Sequence, residues 1–287
     1  MLAAMANPDS ARLLEAAAAA MEEVGGFQLS EWRKRAPGWG DEKAAKEFVS
    51  FVDVESERRL AAALLAADPD SGFYGEESGR RTGGERSWVV DPVDGTTNYL
   101  SGLDWFCISV ALFEGERPIL GLVHRPAARE WWWAIRGGGA HHRVGERPRA
   151  MDGKDALALL PRAEACTLSQ ALVCTGTPFR SPDTREAFFA ATGDVLNAAR
   201  DVRRLGSAAL DLCSVASGWL QAFWEVDLEA YDVGAAILVL EEAGCPVTSF
   251  SGRPYEAMRH RSLVTGRPGA AEELREIVAR RYGKLRE

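Results

Sequence analysis

The chain is poor in cysteine, has no long apolar run, and carries too little positive charge for a nucleic-acid surface. Its five cysteines, at positions 107, 166, 174, 213 and 245, are scattered among apolar neighbours and include no Cys-x-x-Cys pair. That pattern predicts small core residues in a reducing cytoplasm and no disulfide framework. No apolar run approaches the ~18 residues of a membrane span. The alanine-rich start, Ala16 to Met21, is flanked by Glu15, Glu22 and Glu23 without a basic segment ahead of it, so it reads as an amphipathic helix and not a signal peptide. A net charge of -8 and a pI near 5.3 argue against nucleic acid as a partner. A small anion could still bind, if a metal reverses the local charge. Internal repeats and low-complexity tracts are also absent.

What is present is enough apolar material for a large core. At 287 residues and 46% hydrophobic composition, the chain can form one large domain or two tightly packed subdomains and bury about three quarters of its unfolded surface. Residues 10 to 24 read as a helix stopped by Gly25-Gly26, and Val54 to Ala67 as a second helix. Trp32 to Glu42, broken by Pro37, Gly38 and Gly40, reads as a lid. Phe106 to Phe113, Ile119 to His124 and Glu130 to Ile135 predict an antiparallel meander. Within it, alternation puts Trp131 and Trp133 on one face and Trp132 on the other, for packing or a subunit interface. His141-His142 lacks an obvious partnering acid and reads as solvent-exposed. Beyond residue 150, strands and helices alternate, which predicts an α/β half. The helix Val233 to Ala243 is apolar all round and should be buried on every face.

The centre of the chain is Trp88-Val89-Val90-Asp91-Pro92-Val93-Asp94-Gly95-Thr96-Thr97-Asn98-Tyr99. A buried strand breaks there into a tight turn with two carboxylates at its end. Both acids can face one point, and the amides of Gly95, Thr96 and Thr97 are free if a helical turn begins there, so oxygen ligands would lie beside an anion hole. That pairing suits a Mg2+-dependent site for a phosphate ester. A lone Asp-Pro-x-Asp-Gly is also an ordinary surface turn, and Asp232, at the first turn of its apolar helix, is equally an N-cap.

Three ordered motifs decide between these readings. Gly75-Glu76-Glu77-Ser78, the Asp91 to Asn98 stretch, and Tyr231-Asp232-Val233-Gly234-Ala235 with Glu241-Glu242-Ala243-Gly244 together resemble the inositol monophosphatase family. Arg204-Leu205-Gly206-Ser207-Ala208-Ala209 and Phe223-Trp224-Glu225 also fit its pattern. The resemblance implies an α+β, layered α-β-α-β-α sugar-phosphatase fold. Residues 1–150 would form the half with an antiparallel sheet and most metal ligands, and residues 151–287 an α/β half with Asp232 and the substrate contacts.

The same resemblance implies Mg2+ ligands at Glu76, Asp91, the Val93 carbonyl, Asp94 and Asp232, for about two or three ions. It implies water activation by Glu76, Thr96 and Glu47, where Glu47 stands for the family's usual Asp. Phosphate would be held at Gly95 and Thr96, and the rest of the substrate by Asp94, Gly206, Ser207, Ala208, Glu225 and Asp232. The expected activity is hydrolysis of myo-inositol monophosphate or a similar polyol phosphate, in the cytoplasm, by a homodimer. Relatives acting on fructose 1,6-bisphosphate, histidinol phosphate or 3'-phosphoadenosine 5'-phosphate are the alternatives, followed by a binding module that has lost turnover. Thr97-Asn98 favours the inositol type over the nucleotide type, which usually has Lys after the first Thr. The Asp91-x-x-Asp94 spacing misses the Asp-x-Asp of haloacid-dehalogenase phosphatases.

Overall fold

The structure, a computed structural model, describes residues 8–34, 41–44, 47–149 and 158–283, with backbone alone for Pro8, 41–44 and 47–49. Most of the segment read as a lid therefore lies outside the described residues. Helix α1 (Pro8–Glu31) runs straight through the glycines expected to stop it. Gly25 packs where a Cβ would lie 3.1 Å from His124 Nε2 and from Pro126 Cγ, so the glycine permits close approach to the sheet. A helical glycine costs about 1 kcal/mol, and the contact offsets it. Strands β1 (Asp41–Ala44) and β2 (Glu47–Val49) pair antiparallel. Helix α2 (Phe51–Ala67) begins at Ser50, where Ser50 and Asp53 complete a capping box.

Strands β3 (Gly72–Gly75), β4 (Gly79–Arg81), β5 (Arg86–Asp94), β6 (Cys107–Glu114), β7 (Arg117–Arg125), β8 (Glu130–Ile135) and β9 (Ala140–Val144) form one sheet in the order β4-β3-β5-β6-β7-β8-β9. From β5 onward it is the expected meander. At the other end β3 pairs parallel with β5, so the sheet is mixed and not purely antiparallel. The β3–β4 hairpin folds outward and the chain returns past it, with Gly84 N donating to Asp70 O at 2.6 Å.

Helix α3 (Thr96–Leu100) follows β5 directly. The second sheet contains β10 (Leu172–Thr175), β11 (Asp201–Arg203), β12 (Ala222–Glu225), β13 (Val247–Thr248) and β14 (Leu263–Gly266), in the order β11-β10-β12-β14-β13. It is parallel around β10 and antiparallel at β14. Among the described residues the other α-helices are α4 (Arg185–Ala198), α5 (Ala208–Ala216), α6 (Ala230–Ala243) and α7 (Ala270–Tyr282).

Alternation along the strands sorts these elements into layers. One face of the first sheet, through Trp88, Val110, Leu122 and Trp131, meets Leu13, Met21, Leu60 and Leu64 of α1 and α2. Its other face, through Val89, Phe113 and Trp132, meets Leu210 of α5 and Ile237 of α6, which also touch Cys174 and Phe223 of the second sheet. The outer face of that sheet is covered by Phe188 of α4 and Leu274 and Val278 of α7. The architecture is α-β-α-β-α, and α6 is apolar all round because it lies between two sheets. The division expected after residue 150 falls among residues 150–157, outside the described set.

The three tryptophans alternate as expected, but all are buried within the chain, at 1%, 0% and 2% exposure for Trp131, Trp132 and Trp133. Because both faces of their sheet are covered, the run offers no exposed patch and no argument for a dimer. His142 is half-buried, with Nε2 2.9 Å from Glu130 Oε1, and His141 stacks on Trp133, so the pair is not free in solvent. Trp132 also donates from Nε1 to Ser217 Oγ at 2.8 Å. Trp132→Ala should therefore lower stability by about 3–5 kcal/mol, read as an earlier urea midpoint; a loss under ~1 kcal/mol would contradict this packing.

Candidate active site

The site starts from a proline in a strand. In a regular strand, residues three apart face opposite sides, so Asp91 and Asp94 would diverge. Pro92 cannot donate to the ladder, and the pairing of β5 with β6 slips there: Asp91 is opposite Ser109 while Asp94 is opposite Cys107. The three-residue step on β5 answers a two-residue step on β6. This bulge returns both carboxylates to one side, in the lining of one open pocket. Val93 N closes the turn by donating to Asp91 Oδ1 at 3.0 Å. Gly95 then takes φ 96°, and a Cβ there would lie 2.9 Å from Trp105 O and 3.2 Å from Gly206 O. Only glycine fits this turn and this approach between the two halves.

The second half closes onto Asp94. Ser207 caps α5, and its Oγ donates to Asp94 Oδ2 at 2.6 Å, as does Ala209 N at 2.7 Å; Ala208 N reaches Oδ1 at 3.3 Å. Asn98 ties the same junction, donating from Nδ2 to Trp105 O at 2.7 Å and Leu205 O at 2.9 Å. Asp232 is not the N-cap, which is Glu229, but the third residue of α6, where its Oδ2 accepts from Glu229 N at 2.7 Å and completes a capping box. It also faces the pocket, beside Glu76, Asp91 and Asp94. Gly206 and Glu225 line the opposite wall, where a Cβ at Gly176 would collide with the Glu225 carboxylate.

So many acids in one place disturb one another. Burial, then the charges of Glu76, Asp94 and Asp232 and a hydrogen bond with Glu76, pushes the Asp91 carboxyl well above the usual range. Burial also raises Asp94, to about 6, against the donors from Ser207, Ala209 and Ala208. Asp232 is raised by burial, although Arg180 Nη1 stands 3.3 Å from its Oδ2 and pulls the other way. Glu225 is raised well above its usual range by burial and then by Asp232 and Asp211. Two guanidiniums, Arg180 and Arg204, against Glu76, Asp91, Asp94, Asp211, Glu225 and Asp232 in the same lining leave negative charge to neutralise. Hard oxygen donors in that excess fit Mg2+. Among the described residues no three of these side chains already form a closed ligand group around one point.

Of the residues singled out in the sequence, Glu76, Asp91, Val93, Asp94, Gly95 and Thr96 reach the pocket from the first half. Gly206, Ser207, Ala208, Glu225 and Asp232 reach it from the second. The side chain of Glu47 lies outside the described residues. The carboxylate that Thr96 meets is Asp53, whose Oδ1 accepts from Thr96 Oγ1 at 2.9 Å while its Oδ2 is held by Ser50 N and Oγ. Sequence reasoning missed Asp53; its signal was the Ser50-x-x-Asp53 capping box just before an apolar helix. It also missed Asp211, which accepts from Trp105 Nε1 at 2.9 Å and Cys174 Sγ at 3.2 Å and is pushed by burial to about 7. An acid inside the apolar run Ala208-Ala209-Leu210-Asp211-Leu212 was the available sign.

The sequence profile of the inositol monophosphatase family matches residues 9–282. The chain is 38% identical over 243 residues to the inositol-1-monophosphatase of Rhizobium meliloti (strain 1021), covering 83% of this chain and 85% of that protein. It is 36% identical over 216 residues to the fructose-1,6-bisphosphatase/inositol-1-monophosphatase of Aquifex aeolicus (strain VF5), covering 75% and 76%. Among solved structures, the extragenic suppressor protein suhB of Bartonella henselae superimposes with a TM-score of 0.81 at 27% identity, over 93% of this chain and 98% of that one. These likenesses define the class as phosphatase enzymes. The chain belongs to the inositol monophosphatase family.

Proposed function

We propose that the protein is a Mg2+-dependent phosphomonoesterase acting on myo-inositol monophosphate or a similar polyol phosphate in the cytoplasm. The observation that carries this is the convergence of Glu76, Asp91, Asp94 and Asp232, from both halves of the chain, in one pocket with Gly95, Thr96 and Thr97. Glu76, Asp91, the Val93 carbonyl, Asp94 and Asp232 would hold the ions. Bound there, Mg2+ would acidify an attacking water and offset the charge of the phosphate. The Thr96 hydroxyl, which donates to Asp53 Oδ1 at 2.9 Å, and the Glu76 carboxylate orient that water, and the Glu76 carboxylate accepts its proton. The water oxygen bonds to phosphorus in line, the ester P–O bond breaks with its electron pair on the polyol oxygen, and that oxygen takes a proton from solvent water as the polyol leaves as its alcohol. Amides of Gly95 and Thr96 hold the phosphate oxygens.

Glu225 supports the polyol part. It ends β12 at the pocket wall, and a carboxylate there suits neighbouring hydroxyls. Glu225→Gln should lower kcat/KM for inositol phosphates by ~10-fold or more while sparing p-nitrophenyl phosphate, because only the first loses a charge-assisted contact of about 1.5–3 kcal/mol. Equal losses on both esters would assign Glu225 to the metals or the fold. A bisphosphate such as fructose 1,6-bisphosphate is the second reading, supported by Arg180 and Arg204 in the lining of the same pocket. A phosphate-release panel with both esters and Mg2+ separates the two by relative kcat/KM.

A further inference from the structure

Helix α2 carries two buried carboxylates one turn apart, Asp53 at 0% and Glu57 at 3% exposure. Their i, i+4 spacing puts both on the face turned toward the first sheet's site-bearing end. Asp53 reaches Thr96. Glu57 reaches the turn that carries Glu76: its Oε2 accepts from Glu77 N at 2.7 Å and its Oε1 from Ser78 N at 2.8 Å. These consecutive amides lie in the three-residue connection between β3 and β4, closed by Gly79 at φ 71° opposite Gly75. Successive N–H groups converging on one anion form a nest, here filled by a side chain of the same molecule. Gly75 packs against the same group, where a Cβ would collide with the Glu57 carboxylate.

The hairpin needs such a hold. Its outer strand is the three-residue edge β4, exposed at Arg80 and Arg81, and short edge hairpins open readily. Glu76 stands immediately before the two clamped amides, and its own N–H is bonded to Val90 O at 3.2 Å. We infer that Glu57 is the positioning residue for Glu76: by clamping the amides of Glu77 and Ser78 from beneath, it sets the direction in which the Glu76 carboxylate enters the pocket. Together with Asp53, it makes one face of α2 the support for both groups that orient the attacking water. The assignment of Glu76 to that work rests on the proposed phosphatase site; the clamp itself does not.

The test uses the full chain with Glu57→Gln, Gly75→Ala and the double variant. Glutamine offers one acceptor in place of two, and Gly75→Ala displaces the carboxylate while leaving it in the protein. Amide hydrogen exchange at Glu77 and Ser78 should quicken about tenfold in each variant, the effect of losing one charge-assisted hydrogen bond, while Val89 and Val90 stay unchanged. Calorimetry without substrate should show Mg2+ binding weakened about tenfold. The double variant should be no worse than the weaker single one, since both act through the same contact. Native Mg2+ affinity alongside quickened exchange would overturn the positioning role, and unchanged exchange would overturn the clamp. If the unsubstituted protein binds no Mg2+, the metal-site reading has failed separately, and exchange at the two amides decides whether Glu57 holds the turn. If Glu57→Gln does not fold, Gly75→Ala carries the same measurements.

Discussion

Asp94→Asn is expected to cut phosphate release by at least about 1000-fold while leaving a folded protein. Asp94 does two jobs. It offers charge to the pocket, and it joins the halves by accepting from Ser207 Oγ, Ala209 N and Ala208 N. Asparagine keeps one oxygen for those donors and turns an amide toward the others, a loss of about 1–3 kcal/mol that a chain of this size withstands. It also removes a negative charge from the site where, on the proposed mechanism, the ions would be held. Phosphate release and far-UV circular dichroism on the same preparation check both halves of the statement. Turnover within ~10-fold of the unsubstituted protein would remove Asp94 from the machinery.

The second large effect is on stability. Burial raises the carboxyls of Asp91, Asp94 and Asp232, and the charge of Asp232 raises the first two further, so holding all three charged opposes folding in the absence of a cation. An ion that binds only the folded chain stabilises it by about 2.7 kcal/mol at 100 times its dissociation constant. Mg2+ should then raise Tm by roughly 5–10 °C over the chelated protein. Asp91→Asn should abolish most of that increment and raise the Tm of the chelated form, because one repelling charge is gone. A Tm indifferent to Mg2+ would mean that the acids hold no ion at that concentration.

Much of this site was legible in the sequence because its pieces are local. Asp91-Pro92-Val93-Asp94-Gly95 carries its own geometry: the proline breaks the ladder and the glycine takes the left-handed turn. The bulge that brings both acids to one face was not legible, since it depends on the register of β5 against β6. The apolar helix was correctly read as buried on every side, because only a position between two sheets satisfies it. Gly25-Gly26 misled for the opposite reason: Gly25 serves approach to His124 and Pro126, residues about 100 positions away, and Gly26 meets nothing within 4 Å. The Trp131 to Trp133 run showed its alternation but not that both faces would be covered by other layers.

Support for Thr96 is the instructive miss. Glu47 was singled out by the family resemblance, as standing for the family's usual Asp, whereas Asp53, six residues on, was given no role although it lies in the first turn of the helix. One carboxylate performs both functions, with Oδ2 on the Ser50 cap and Oδ1 on Thr96. Asp232 repeats the economy, with Oδ2 on the cap of α6 and the carboxylate facing the pocket. A capping role therefore does not compete with a site role when the two oxygens point to different partners.

The most direct measurement is inorganic phosphate released from myo-inositol monophosphate by the purified chain, with Mg2+ present and again after chelation, alongside Asp91→Asn. The account predicts turnover with Mg2+, a loss of at least about 1000-fold on chelation that restored Mg2+ reverses, and no recovery in Asp91→Asn. Hydrolysis that continues unchanged after chelation, or at the native rate in Asp91→Asn, would contradict it.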